Sequence, residues 1–184
     1  DNIKEIFNYL HVECGIESMK CTIVRDEGVY KTPYEKKKKI YDAYNWLTNE
    51  IKKKIKTTSI KNYNTTSIQG RVHQKKDVIS WELIKKMYMN PKFISPCHAG
   101  SLFGIITSNG KIYPCEILED KLLGNLRDYD MNFMKIWNDK KTKDARKFII
   151  DSKCNCTYEC ALSYNILGNW RYQAQLASSA FNLD

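Results

Sequence analysis

Five of the seven cysteines in this 184-residue chain fall within one stretch, at Cys97, Cys115, Cys154, Cys156 and Cys160. Thiolates are soft donors, and four of them brought together make a closed site for either a zinc ion or an iron–sulfur cluster. Geometry alone does not choose between these guests. A lone cysteine is ordinarily a small buried hydrophobe, and Cys14 and Cys21 are read that way, one at a helix end and the other in a strand. A pair followed by a triplet points instead to a metal. The odd count, the clustering and the lack of a basic-then-apolar leader argue for reduced thiols in a cytoplasmic protein rather than a secreted disulfide scaffold.

The thiols can meet only if the chain between them turns back. Residues 102–107 are apolar and β-branched, Ser108-Asn109-Gly110 is a turn because Asn and Gly tolerate positive φ, and residues 111–113 return, so a hairpin brings Cys97 and Cys115 to one end. Asp130 is expected to cap a helix through Phe133, Ile136 and Trp137. Residues 142–150 continue helical with Ala145, Phe148 and Ile149 inward. These helices carry the chain back to Cys154–Cys160. A helix over 161–167 ends at Gly168, and a last one over 170–180, rich in Ser and Ala, is expected to be loosely held.

Before the cysteines, residues 2–12 place Ile3, Ile6, Phe7 and Leu10 at helical spacing, and residues 19–24 read as a strand with Arg25 at its C-terminal end. Thr32-Pro33 opens a long helix with Tyr44, Leu47 and Ile51 on its apolar side. Helix, strand and long helix is the rhythm of an α/β barrel, and Arg25 sits where barrels place cofactor or substrate contacts. Residues 56–74 are polar and read as a linker. Residues 78–89 form another helix, stopped by Asn90-Pro91. The formal charge of +9 is spread as lysines among apolar residues at helical spacing, which suits a solvated face rather than a nucleic-acid interface. No apolar run is long enough to span a bilayer.

The second half of the chain resembles the SPASM/twitch extension of radical S-adenosylmethionine (radical SAM) enzymes. The matching residues are Cys97 with Ala99-Gly100, the turn at Asn109-Gly110, Tyr113-Pro114-Cys115-Glu116, Leu123-Gly124-Asn125-Leu126, Ile136-Trp137, and the cluster Cys154, Cys156 and Cys160. The resemblance implies an auxiliary [4Fe–4S] cluster held by Cys97, Cys115, Cys156 and Cys160, with Cys154 as the alternate ligand. Many members close with two cysteines separated by two residues, whereas here one residue separates Cys154 from Cys156 and three separate Cys156 from Cys160. Alternate side chains of an extended segment face opposite ways, so one of Cys154 and Cys156 is expected to ligate. Cys156 is favoured because it and Cys160 flank a helix start. His98, beside Cys97, is placed either to hydrogen-bond a sulfur or to lie on the surface.

The expected fold class is α+β, with a small hairpin-and-helix cluster domain preceded by the last strand and helices of a partial TIM-like barrel. The expected domains are a barrel remnant over 1–58, a linker and bridging helix over 59–92, and the iron–sulfur domain over 93–184. The CxxxCxxC loop that binds the catalytic cluster in the family is absent, and the chain begins with Asp1 rather than Met, so a C-terminal fragment or truncated relative is expected. The full-length parent would bind S-adenosylmethionine and a second [4Fe–4S] cluster, act on a peptide or small molecule, and take electrons from a ferredoxin or flavodoxin. The cluster in this chain would serve electron transfer or substrate positioning. Two rival classes are a noncatalytic structural zinc module and a basic nucleic-acid-binding module.

Overall fold

The computed structural model describes residues 2–16, 21–23, 32–57 and 67–181. The chain divides into two compact units, one formed by Asp1–Lys92 with Trp170–Asp184 and the other by Phe93–Asn169.

The described part of the first unit is helical. α1 (Ile3–Asn8) runs into a π-helical turn, Tyr9–Glu13, and buries Phe7. α2 (Tyr34–Thr57) begins where the Pro33 carbonyl accepts from Lys36 N–H at 2.9 Å, a position in which proline's missing donor costs nothing. Tyr44, Leu47 and Ile51 form its buried stripe, as their spacing predicts. α3 (Ile68–Met89) starts ten residues earlier than the apolar pattern suggests, because Ser67 accepts from Gly70 N–H at 3.0 Å and caps it. From Ile79 to Tyr88 this helix buries every residue but Glu82 and Lys86, with Trp81 and Ile84 fully enclosed. It packs against both α2 and α7 (Trp170–Ala180).

The last helix is held more firmly than its Ser and Ala content suggests. Leu176 and Ala180 are buried, and Arg71 Nη2 donates to the Ala180 carbonyl at 2.6 Å while Nε lies 3.2 Å from the Ser179 carbonyl. A guanidinium thus occupies the end of the helix where carbonyls are left unpaired.

The second unit holds a three-stranded antiparallel sheet in the order β1 (Ile105–Ile106), β2 (Lys111–Tyr113), β3 (Gly124–Asn125). Ile106 pairs with Ile112, and Ile112 with Gly124. Gly110 closes the hairpin at φ +83, the left-handed geometry that its turn position requires. The first strand is shorter than expected, because residues 98–102 form a turn in which Leu102 N–H returns to the His98 carbonyl at 2.9 Å. A 3₁₀ turn (Leu126–Tyr129) leads to α4 (Phe133–Trp137), α5 (Lys140–Asp151) and α6 (Glu159–Gly168). Asn132, not Asp130, caps α4, because Asp130 takes the left-handed conformation that ends the preceding turn. Ile112, Leu123, Leu126, Ile136 and Ala145 make the core between sheet and helices. Thr142 joins Ala145 and Ile149 on the buried face of α5, and Phe148, expected inward, is exposed.

The architecture is therefore α+β. Among the described residues the strands are these three, all antiparallel, and residues 21–23 carry no strand. A parallel barrel segment is not shown. The rest of the expected strand over 19–24, together with Arg25, lies outside the described residues. No described helix is long and apolar enough to cross a membrane.

Candidate metal centre

Each of the cysteines predicted to bind metal is placed by a different local device. Cys97 precedes a tight loop in which Gly100 N–H donates to the Phe103 carbonyl at 2.8 Å, with Gly100 at φ +70. A Cβ there would also stand 3.3 Å from Pro114 Cβ, so glycine lets the Cys97 loop lie against the Pro114-Cys115 segment. Arg146 holds this loop from α5. Its Nε donates to the Gly100 carbonyl, its Nη2 donates to the Trp137 carbonyl at 2.8 Å, and its guanidinium stacks 5.1 Å from the Trp137 ring.

Cys115 lies two residues past the end of β2 and is buried, with Ala99 and Ile149 as core neighbours and Cys97, Phe103, Leu118 and Cys154 packed against them. The hairpin thus brings Cys97 and Cys115 to one end, as the turn chemistry predicts.

Cys154 is aimed by the end of α5. Lys153 adopts a left-handed φ of +50, Lys153 N–H donates to the Ile150 carbonyl at 3.1 Å, and Cys154 N–H donates to the Ile149 carbonyl at 3.1 Å. This paired closure is the Schellman motif, which characteristically presses the residue after the turn onto the helix's last apolar side chain. Here that contact is Cys154 on Ile149.

The electrostatics bind three of the thiols into one group. The Cys154 thiol donates to the Cys97 sulfur, and with the Ala99 N–H and the Asn165 side chain it outweighs burial and holds Cys97 down to about 6. Cys97 is therefore poised as the thiolate. Cys154 is pushed up because it gives that hydrogen bond, because it is buried, and because it faces the charges of Cys97, Cys156 and Cys115. Burial likewise raises Cys115, against the N–H groups of Leu118 and Ile117 that point at its sulfur.

The helix start flanked by Cys156 and Cys160 favours Cys156 as the ligand, whereas the structure packs Cys154 beside Cys97. Cys156 lies close enough for its charge to act on Cys154. Cys160 is exposed in the first turn of α6, and Cys14 is exposed outside the centre. Among the described residues no three His, Cys, Asp or Glu side chains already form a closed metal-binding group. The donor chemistry nevertheless fits an iron–sulfur cluster, since it offers soft sulfurs with backbone N–H groups aimed at two of them.

Two contacts that sequence reasoning missed complete the frame. Tyr158, the residue before α6, donates its hydroxyl to Glu116, next to Cys115, and so ties the Cys154–Cys160 stretch to the hairpin. Asn165, buried in α6, accepts from His98 N–H at 2.8 Å. His98 meets the centre through this backbone group, while its Nε2 is buried without a hydrogen-bond partner beside Gly168. A cleft of about 900 Å³ lies in the first unit, lined by Asn45, Trp46, Glu50, Lys53 and Lys75, and no candidate ligand lines it.

Residues 97–161 match the family model of SPASM, an iron–sulfur cluster-binding domain. No curated protein and no solved structure matches the chain. The matched span runs from the first candidate ligand to the residue after the last, so the thiols that the fold gathers lie within the stretch that is similar to a cluster-binding domain.

Proposed function

We propose that the Phe93–Asn169 unit holds one [4Fe–4S] cluster through Cys97, Cys115 and Cys154, with Cys156 or Cys160 as the fourth thiolate. The observation that carries this reading is the meeting of Cys97, Cys115 and Cys154, three thiols from separate elements, around one hydrogen-bonded pair. The family match over the same span supports iron rather than zinc. A cluster with four cysteine ligands supplies one-electron transfer and leaves no iron free to coordinate substrate. The chain's own residues bind the iron through sulfur, shield it with Ala99 and Ile149, and direct N–H groups at the sulfurs.

On the wider scale we propose that this chain is the C-terminal part of a radical SAM enzyme, with residues 1–58 the remnant of a partial barrel. S-adenosylmethionine and a second [4Fe–4S] cluster would belong to the missing N-terminal barrel, with Arg25 a contact near that site. The substrate would be a peptide or small molecule, and a ferredoxin or flavodoxin the electron donor. The chain lacks a CxxxCxxC loop, so alone it is not expected to cleave S-adenosylmethionine.

The test is the iron, acid-labile sulfide and zinc content of the 184-residue chain purified without oxygen, with single Ser substitutions at the five cysteines. Matched iron and sulfide, lost in Cys97→Ser, Cys115→Ser and Cys154→Ser, is the expected result. Whichever of Cys156→Ser and Cys160→Ser also loses iron identifies the fourth ligand. One zinc without sulfide would overturn the iron assignment and leave a structural module.

A further inference from the structure

The residue just before a helix is usually Ser, Thr, Asp or Asn, whose short side chain turns back to cap the first N–H groups. At α6 that place is held by Tyr158, which makes no side-chain cap, although Thr157, a capping type, stands immediately before it. The Tyr158 hydroxyl instead crosses to the hairpin and donates to Glu116 Oε2, 42 positions earlier in the chain. Both ends of this bond adjoin candidate ligands. Glu116 follows Cys115, and Tyr158 stands two residues after Cys156 and two before Cys160.

Residues 154–158 lie in neither helix nor strand. This stretch is fixed at one end where Cys154 packs against Ala99, Cys115 and Ile149, and at the other where Tyr158 meets Glu116. An extended residue spans about 3.3 Å, so a tether at Tyr158 keeps Cys156 within roughly 7 Å of it along the chain.

We infer that Tyr158 is a positioning residue for the fourth thiolate: its bond to Glu116 holds the stretch carrying Cys156 and Cys160 against the Cys115 end of the hairpin, and so sets how firmly the cluster keeps its fourth iron. The inference rests on the reading above of one [4Fe–4S] cluster with four cysteine ligands. Cys97, Cys115 and Cys154 are seated by other devices, namely the Gly100 turn, the hairpin and the end of α5. Loss of the tether therefore loosens one corner rather than the whole centre. A corner so loosened gives up its iron on oxidation. With ferricyanide as oxidant, [4Fe–4S]²⁺ loses one electron and one Fe²⁺ and leaves [3Fe–4S]⁺.

The test compares the full chain with Tyr158→Phe, which keeps the ring and removes the donor, and with Glu116→Ala and Glu116→Gln. All would be reconstituted with iron and sulfide and treated with limiting ferricyanide. Tyr158→Phe and Glu116→Ala should show the electron paramagnetic resonance signal of [3Fe–4S]⁺ and release iron to a chelator on the order of 10-fold faster than wild type. Glu116→Gln keeps an acceptor oxygen and should behave as wild type. Glu116 is exposed, so its truncation leaves the core untouched and decides the question even where Tyr158→Phe fails to fold.

Equal retention of the fourth iron in both variants and wild type overturns the assignment. So does a Tyr158→Phe defect that Glu116→Ala fails to reproduce, or one that strips the whole cluster without the [3Fe–4S]⁺ signal. A wild-type chain that takes up no iron and sulfide would instead sink the cluster reading itself, which separates the two failures.

Discussion

Cys154 N–H closes α5 onto the Ile149 carbonyl at 3.1 Å, so the bond that terminates the helix is also the one that turns a thiol toward Cys97. The residue at the turn itself, Lys153, pays for this with a φ of +50. An L side chain in the left-handed region costs about 1–2 kcal/mol, which glycine avoids. Lys153→Gly should therefore raise the stability of the unit by roughly 0.5–1 kcal/mol after glycine's greater unfolded-state entropy is discounted. Lys153→Val should lower it and weaken iron retention together. Denaturant titration and iron analysis of both variants check this.

Arg146 serves two carbonyls and one ring with a single planar group, the kind of site where lysine does not substitute. Arg146→Lys is expected to lose one carbonyl and most of the stack on Trp137. A destabilisation on the order of 1–2 kcal/mol follows, visible as a lower denaturation midpoint with unchanged denaturant slope. Equal stability of the two proteins would show that water replaces the guanidinium without cost.

In the first unit, Glu82 sits between Lys52 and Lys85, with Lys85 Nζ at 2.8 Å and Lys85 also donating to Asn45 Oδ1 at 3.1 Å. Burial raises the Glu82 carboxyl, but the hydrogen bonds and charges of Lys52 and Lys85 together outweigh it and leave it below its ordinary value of 4.5. A lowered folded-state value means that its contribution to stability is present above the unfolded-state value and is lost as pH falls through the folded one. Glu82→Gln should flatten that acid limb while changing little near neutrality. The effect should be modest, since the Glu82 side chain is 43% exposed. Urea midpoints measured between pH 3 and pH 7 on both proteins, at roughly unit intervals, check the sign.

Arg71 anchors the end of α7 through the carbonyls of Ser179 and Ala180. Arg71→Met keeps the apolar stem and removes the donors, so the last turn should fray. Amide exchange at residues 178–181 should accelerate well beyond the rest of α7, with a loss of about 1–2 kcal/mol. Uniform protection across α7 in the variant would assign the helix's order to Leu176 and Ala180 packing alone.

Much of the centre was legible because the signals were local. Asn109-Gly110 specifies a tight turn by its own backbone preferences, and a tight turn returns Cys115 to Cys97 whatever the rest of the chain does. The choice between Cys154 and Cys156 was not legible, because it depends on how α5 ends. The left-handed residue there is Lys153, where the recognisable signal would be glycine, so the packing of Cys154 against the Cys97 and Cys115 loops could not be read from the spacing of the cysteines. Residues 68–74 looked like linker because they are polar, yet Ser67 and Gly70 make a cap and Arg71 finds carbonyls more than a hundred positions away. Asn165 left no signal at all. Its partner, His98, is joined to it only by the fold.

The side chain of Asn169 donates to Ser95 Oγ at 2.9 Å, and both residues are buried. Ser95 stands near the start of the Phe93–Asn169 unit and Asn169 at its end, so the chain enters and leaves this unit at neighbouring points. That is the geometry of an insertion, a loop of the host elaborated into a body of its own. The unit that gathers the thiols is thus closed at its base by a hydrogen bond between residues close to its two ends.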